Sequence, residues 1–399
     1  TGTFPHSNGS WGNSMPLGAN VKTIGQRLSD QRFHTAYIGK YHLDGGDYFG
    51  LGYPQDGWDP DYWYDMRVFL EELSDEERYT SRQVESMFET SYPEEKTYAW
   101  RVTNKAIDFL RKARADDYFL VVSYDEPHGP SVCPEPYASM YEDYEFPKSR
   151  NIWDTLEGKP DYQKAWAGDS LEQDKDAIKL TPRYLLGCNS FVDSQIGRLL
   201  EEVSAYAPDA LIICTSDHGD ALASHSLSSK GPCMYDEIAR IPLIIYDPTQ
   251  PGGVVNPHPA SHIDLVPTIL DYLDMPQPKL LEGRSMLPMV ADPACRTNDY
   301  IFTEFTRYEI DHDGFGGFQP MRAVFDGRYK LSIHLLSQDE LYDIDTDPDE
   351  MENLILSPEH AEIRTRLHDA ILDWMNTTRD PFRGYYWERR PWREDARPA

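Results

Sequence analysis

Two rhythms of apolar positions alternate along the chain. Short continuous runs read as buried strands, at Tyr118-Phe119-Leu120-Val121-Val122-Ser123-Tyr124, Ala210-Leu211-Ile212-Ile213-Cys214 and Ile241-Pro242-Leu243-Ile244-Ile245. Between them the spacing turns helical. Ala99, Val102, Ala106, Ile107 and Leu110 predict a helix over Tyr98–Ala113, and Leu185, Val192, Ile196, Leu199 and Leu200 a second over Arg183–Ala205. Further helices are expected over Ile24–Arg32, feeding a strand at Tyr37-Ile38, and over Ile263–Leu273. Such alternation implies an α/β fold, a large, mostly parallel sheet with helices on both faces.

From about Pro288 the texture changes. Tyr300–Phe305, Met321–Phe325 and Tyr329–His334 read as short strands, with Asp326-Gly327 a hairpin-type turn. An acidic loop over Asp339–Asn353 and an amphipathic helix over Glu359–Thr378 follow. This predicts a small C-terminal antiparallel sheet with one covering helix, so the chain divides into residues 1–287 and 288–399. The Arg-, Trp- and Pro-rich tail from Pro381 is expected to wrap the surface. Asp44–Pro93 is an acidic, aromatic-rich excursion whose Trp58 and Trp63 either stack on a sugar ring or pack inside. Pro134–Thr181 reads as a polar, irregular insertion.

Composition narrows the partners. A net charge of −30 argues against nucleic acid and anionic membrane surfaces. Five cysteines, widely spaced and odd in number, do not make a disulfide framework, and Cys214 reads as buried filler in a core strand. No apolar run reaches the length of a membrane-spanning helix.

Chemistry-bearing residues gather where apolar runs end. Asp217 and His218, in Thr215-Ser216-Asp217-His218-Gly219-Asp220, are two potential metal ligands at the carboxyl end of a core strand, where open α/β sheets place their sites. The loop after them carries His225 and Lys230. Lys40 and His42 leave the Tyr37-Ile38 strand on one face. His128, flanked by Pro127 and Pro130, follows the strand ending at Tyr124. Metal plus cations at strand ends suggests chemistry on an anionic, oxygen-rich group. Each residue also has a structural explanation: a capped turn at Asp217-His218, a core histidine at His42, a turn residue at His128, a solvated charge at Lys230.

Taken together, the segments YIGKYHLDGGDYFG from Tyr37, VVSYDEPHGP from Val121, TSDHGD from Thr215, SHSLSSKG from Ser224, YDEIARIPLII from Tyr235, SHIDLVPTIL from Ser261 and DELYDIDTDPDEMENL from Asp339 resemble the type I sulfatases of the alkaline phosphatase superfamily, in order along nearly the whole chain. The resemblance implies that superfamily's sandwich fold and hydrolysis of a sulfate monoester of a carbohydrate or small organic alcohol. It implies Asp217 and His218 as metal ligands, Lys40 and Lys230 as a clamp on sulfate oxygens, His128 as general acid and His42 as a partner of the nucleophile. His225 follows with a weaker claim to substrate contact. By analogy with the family's C-terminal loops, Arg307 and His312 in Thr306–Gly317 would read the substrate, the alternative being a plain surface loop. The implied metal is Ca²⁺, with Mn²⁺, Mg²⁺ or Zn²⁺ as alternatives because His218 adds a softer ligand.

The family's Cys-x-Pro-x-Arg or Ser-x-Pro-x-Arg motif, source of the formylglycine nucleophile, normally lies just before a Thr-Gly. This sequence opens on Thr1-Gly2 and contains no Cys-x-Pro-x-Arg, so the nucleophile, like the family's first strand with its Asp-Asp pair, is expected from a segment preceding residue 1. Two other functions stand beside sulfatase: a phosphonate monoester or phosphodiester hydrolase of the same superfamily, and a non-catalytic binding protein on the sulfatase fold. The expected partner is a small sulfate ester, in a homo-oligomer or alone, in a bacterial cytoplasm or periplasm.

Overall fold

Strand β1 (His34–Gly39) follows the helix Ile24–Ser29, which Thr23 and Gln26 close at its start by a reciprocal capping box. β1 is the middle of a three-stranded parallel sheet, flanked by β2 (Trp63–Tyr64) and β3 (Tyr118–Ser123) in the order β2-β1-β3. The helix α1 (Tyr98–Ala113) lies between β2 and β3 in sequence. Its Val102, Ala106 and Phe109 share a core cluster with Ala36 and Ile38 of β1, as the helical spacing requires. A second long helix, α2 (Arg183–Tyr206), packs on α1, and Arg198 Nη2 donates to Asn104 Oδ1 at 2.9 Å. Trp58 and Trp63 are buried against Tyr37 and Tyr41, which removes them as a sugar platform.

These elements form one compact unit, Ser14–Phe146 with Thr181–Ala210. The other comprises Thr1–Asn13, Pro147–Leu180 and Leu211–Ala399, a different partition from 1–287 and 288–399. The computed structural model describes residues 1–13, 15–83, 92–113, 117–178, 183–307 and 317–393.

In the other unit β4 (Ile212–Thr215) pairs with β5 (Leu243–Tyr246), and the pair is antiparallel. The residues joining them include only two short helical turns, Ser224–Ser226 and Asp236–Ala239, not the long crossover a parallel pair needs. Among the described residues these strands hydrogen-bond only each other. Their apolar runs are therefore less covered than the pattern implies: Ile244 is 62% exposed, and Cys214 is exposed, not core filler. The helix α3 (Leu265–Tyr272) follows a turn at His262–Asp264.

The C-terminal sheet runs β6 (Ile301–Arg307), β7 (Phe318–Phe325), β8 (Tyr329–His334) and β9 (Glu340–Asp343), antiparallel throughout and in sequence order. Leu367, Ile371, Leu372 and Met375 of α4 (Ala361–Thr377) are buried against Val324, Leu331, Ile333 and Leu341. Burying each such side chain contributes on the order of 2 kcal/mol. The sheet also holds the segment before β5, since Lys330 Nζ donates to Met234 O at 2.8 Å and Glu350 Oε2 accepts from Asp236 N at 2.7 Å. That linkage explains why the compact unit does not break near residue 287.

Candidate functional site

In the first unit, close backbone approach places the chemistry. Gly39 has φ +131°, and a Cβ there would lie 1.9 Å from Ser123 O of β3. No other residue fits, and Lys40 N then bonds Ser123 O at 2.9 Å. Tyr41 turns into the core while Lys40 and His42 leave on the other side, as alternation predicts. Lys40 Nζ lies 3.2 Å from Asp125 Oδ1, and the Tyr48 hydroxyl donates to the same oxygen. His128 is exposed, and its Nδ1–H donates to Gly129 O at 3.0 Å. Its ring lies 4.7 Å from that of Tyr48. Beside them Glu126 accepts from Ala99 N, in the first turn of α1, at 2.8 Å. Burial first, then the Asp125 charge, push the Glu126 carboxyl up to about 7.

In the second unit, Asp217 and His218 sit where β4 ends. Gly219 is obligatory, because a Cβ there would lie 1.9 Å from Glu237 O. Thr215 Oγ1 donates to Pro242 O at 2.9 Å, and His262 Nε2 to Ser216 O at 2.8 Å, which holds the turn from two sides. His218 Nδ1–H donates to Gly219 O at 2.8 Å. That bond orients the ring and leaves Nε2 3.3 Å from Asp217 Oδ2. A carboxylate oxygen and an imidazole nitrogen are both ligand types that divalent metals take, and here the two lie close enough to serve one ion.

The loop onward from Asp220 is strained. Leu222, Ala223, His225, Ser226 and Ser229 all have positive φ, a conformation side chains adopt only when surroundings enforce it. A backbone bond from Ala221 N to Ser229 O at 2.8 Å closes it, and Lys230 emerges half-buried at its end. His225 differs from the expectation of substrate contact. It is fully buried, stacked on Tyr235 at 3.8 Å, with Nδ1 at 2.6 Å from Asp154 Oδ2 and 3.2 Å from Lys159 Nζ. Burial holds the imidazole below its usual range despite Asp154. Asp154, against the opposing pull of burial, is drawn down to about 2 by His225 and Lys159. His225 thus acts as a post inside the loop, in a role its sequence position does not reveal.

Arg307 closes β6 after a β-bulge and is half-buried, and His312 lies outside the described residues. Among the described residues one set of three closely placed ligand-type side chains occurs, His6, Glu304 and Asp380. Arg322 already serves its carboxylates, with Nε 2.5 Å from Asp380 Oδ2 and 3.5 Å from Glu304 Oε2, while His6 Nδ1 is 2.5 Å from Glu304 Oε2. The group is a buried ion network tying Thr1–Asn13 to the C-terminal sheet, and sequence spacing could not have shown it. No described helix is long and apolar enough to cross a membrane.

Comparison with known proteins finds matches along the whole chain. The Sulfatase family profile matches residues 1–275, and that of N-sulphoglucosamine sulphohydrolase, C-terminal, matches residues 225–377. The chain is 43% identical over 412 residues to an uncharacterized sulfatase, YidJ, of Escherichia coli K12, covering 100% of this chain and 80% of the relative. It is 29% identical over 306 residues to the multifunctional alkaline phosphatase superfamily protein PehA of Trinickia caryophylli, covering 68% and 58%. Its fold matches the phosphonate monoester hydrolase of Silicibacter pomeroyi with a TM-score of 0.75 at 21% identity, covering 95% of this chain and 85% of that one.

Proposed function

The chain belongs to the sulfatase family, hydrolases of sulfate esters, and from that premise we propose that it cleaves a sulfate monoester carried by a carbohydrate, using a divalent metal, calcium first, held by Asp217 and His218. The match of residues 225–377 to the sulphoglucosamine sulphohydrolase profile supports the carbohydrate. The metal reading is carried by one observation, the His218 ring locked with Nε2 turned to Asp217 Oδ2 at 3.3 Å. Such an ion would supply Lewis-acid polarisation of a sulfate oxygen. Lys40 and Lys230 bind sulfate oxygens where transition-state charge collects. His128, with Nδ1–H committed to Gly129 O, gives its mobile proton from Nε2 to the leaving alcohol. His42 orients the nucleophile, the formylglycine that the family resemblance implies. With a net charge of −30, the partner is a small sulfate ester and not a polyanion surface.

Calorimetric titration with Ca²⁺ tests the metal. Asp217→Asn and His218→Ala are expected to weaken binding by more than about tenfold, since even outer-shell partners are worth that much. Binding as tight in both variants as in the wild type would remove Asp217 and His218 as ligands.

A further inference from the structure

Sequence pattern does not single out Tyr48, yet its side chain touches all three first-unit residues nominated for chemistry. Lys40 Nζ stands 4.4 Å above the centre of its ring. The His128 ring lies 4.7 Å away at an interplanar angle of 35°, and the His42 ring 6.4 Å away, edge-on. The hydroxyl donates to Asp125 Oδ1, the oxygen that also faces the Lys40 ammonium at 3.2 Å. A tight turn fixes the loop bearing Tyr48: Asp44 accepts from Gly46 N at 2.9 Å and Leu51 N at 3.0 Å, and Asp47 from Phe49 N at 3.0 Å.

We propose that Tyr48 and Asp125 are a positioning pair: the Tyr48 ring is the platform that fixes Lys40 and His128, and Asp125 is the resident counter-ion that Lys40 leaves when an anionic group binds. The identity of that anion as a sulfate ester rests on the function proposed above. A lysine ammonium rides on a flexible four-carbon stem and has three donors, so it needs an external surface to hold one position. The ring face attracts it electrostatically and leaves its donors unspent. Asp125 takes one donor in the resting protein and must be left without a stranded charge when Lys40 turns away. The Tyr48 hydroxyl supplies that remaining partner, since an enclosed carboxylate without a donor is strongly disfavoured. A neutral ligand cannot displace Asp125 from Lys40, whereas an anion can, so the pair also selects for charge.

Three variants separate the parts, with inorganic sulfate as the binding probe and 4-nitrophenyl sulfate turnover as the second readout. Asp125→Asn removes the competing charge and is expected to bind sulfate roughly three- to tenfold more tightly. Tyr48→Phe keeps the platform but removes the hydroxyl that Asp125 accepts from, so sulfate binds roughly threefold more weakly. Tyr48→Leu loses the platform; kcat falls by about tenfold or more, and the His128 imidazole proton resonances lose the ring-current displacement that Tyr48→Phe retains. Circular dichroism checks that each variant folds. Unchanged or weaker sulfate binding in Asp125→Asn, or His128 resonances in Tyr48→Leu that match the wild type, would overturn the proposal. Should the wild type turn over phosphodiesters and not sulfate esters, the function would fall, while the sulfate titrations and the His128 resonances would still decide on the pair.

Discussion

His128 and His225 both stand on loops that leave apolar strands, β3 and β4, and sequence alone separates them only by a weaker claim for His225. Their surroundings set them apart. His128 is exposed, spends Nδ1 on its neighbouring carbonyl and leans on Tyr48. His225 is buried between Asp154, Lys159 and Tyr235 in a loop of left-handed residues. The first can reach a ligand and exchange a proton with it, whereas the second can only hold the shape of the loop that ends at Lys230. Ligand-type residues in this protein thus divide into those that face outward and those that hold them up.

If the division is right, His128→Ala should lower sulfate-ester turnover by about 10²–10⁴-fold, as loss of a general acid does. Its denaturation midpoint should correspond to a change within about 0.5 kcal/mol, as for other exposed sites. A large loss of stability with kcat intact would reverse the contrast. The enclosed cluster should behave oppositely. Asp154→Ala strands the Lys159 charge beside His225 and should cost about 3–5 kcal/mol in urea denaturation. The Asp154 carboxyl is held at about 2 against an ordinary 3.8. Its contribution, about 2 kcal/mol, is present above the unfolded value and is lost as pH falls through about 2. Acid titration of the wild type against Asp154→Asn reads this directly.

Glu126 sharpens the comparison from the first unit, because its shift has the other sign. With a carboxyl raised to about 7, the folded state holds the proton more firmly than the unfolded chain. Wild-type stability should therefore decline as pH rises from the unfolded carboxyl range through about 7, by about 3 kcal/mol at most. Glu126→Gln keeps an acceptor for Ala99 N and should flatten that slope. A slope unchanged in the variant would assign the titration to another group.

Where local rules act alone, the sequence was readable. α1 spans the residues its spacing predicts, and the hairpin at Asp326-Gly327 joins β7 to β8 as a turn of that composition should. The acidic segment at Asp339 instead forms β9, because β8 and the turn before it supply cationic partners across the hairpin: Glu340 Oε2 lies 2.8 Å from His334 Nε2, and Asp343 Oδ1 2.8 Å from Arg328 Nε. The insertion Pro134–Thr181 contains a helix, Asp161–Ala167, and the residues Asp154 and Lys159 that enclose His225. That Lys40, His42, His128, Asp217 and His218 stand at strand ends and in the turns after them was legible, because those apolar runs and turns are local features. The work of Tyr48, Asp125 and Asp154 was not, because it depends on contacts that only folding creates.

The most direct test is sulfate release, followed by ion chromatography, from N-acetylglucosamine 6-sulfate by the protein from its native locus with Ca²⁺ present, against the same assay with a phosphodiester. Release of sulfate, faster than cleavage of the phosphodiester and abolished by His128→Ala, is the outcome expected here. Phosphodiester cleavage without sulfate release would contradict the proposed substrate.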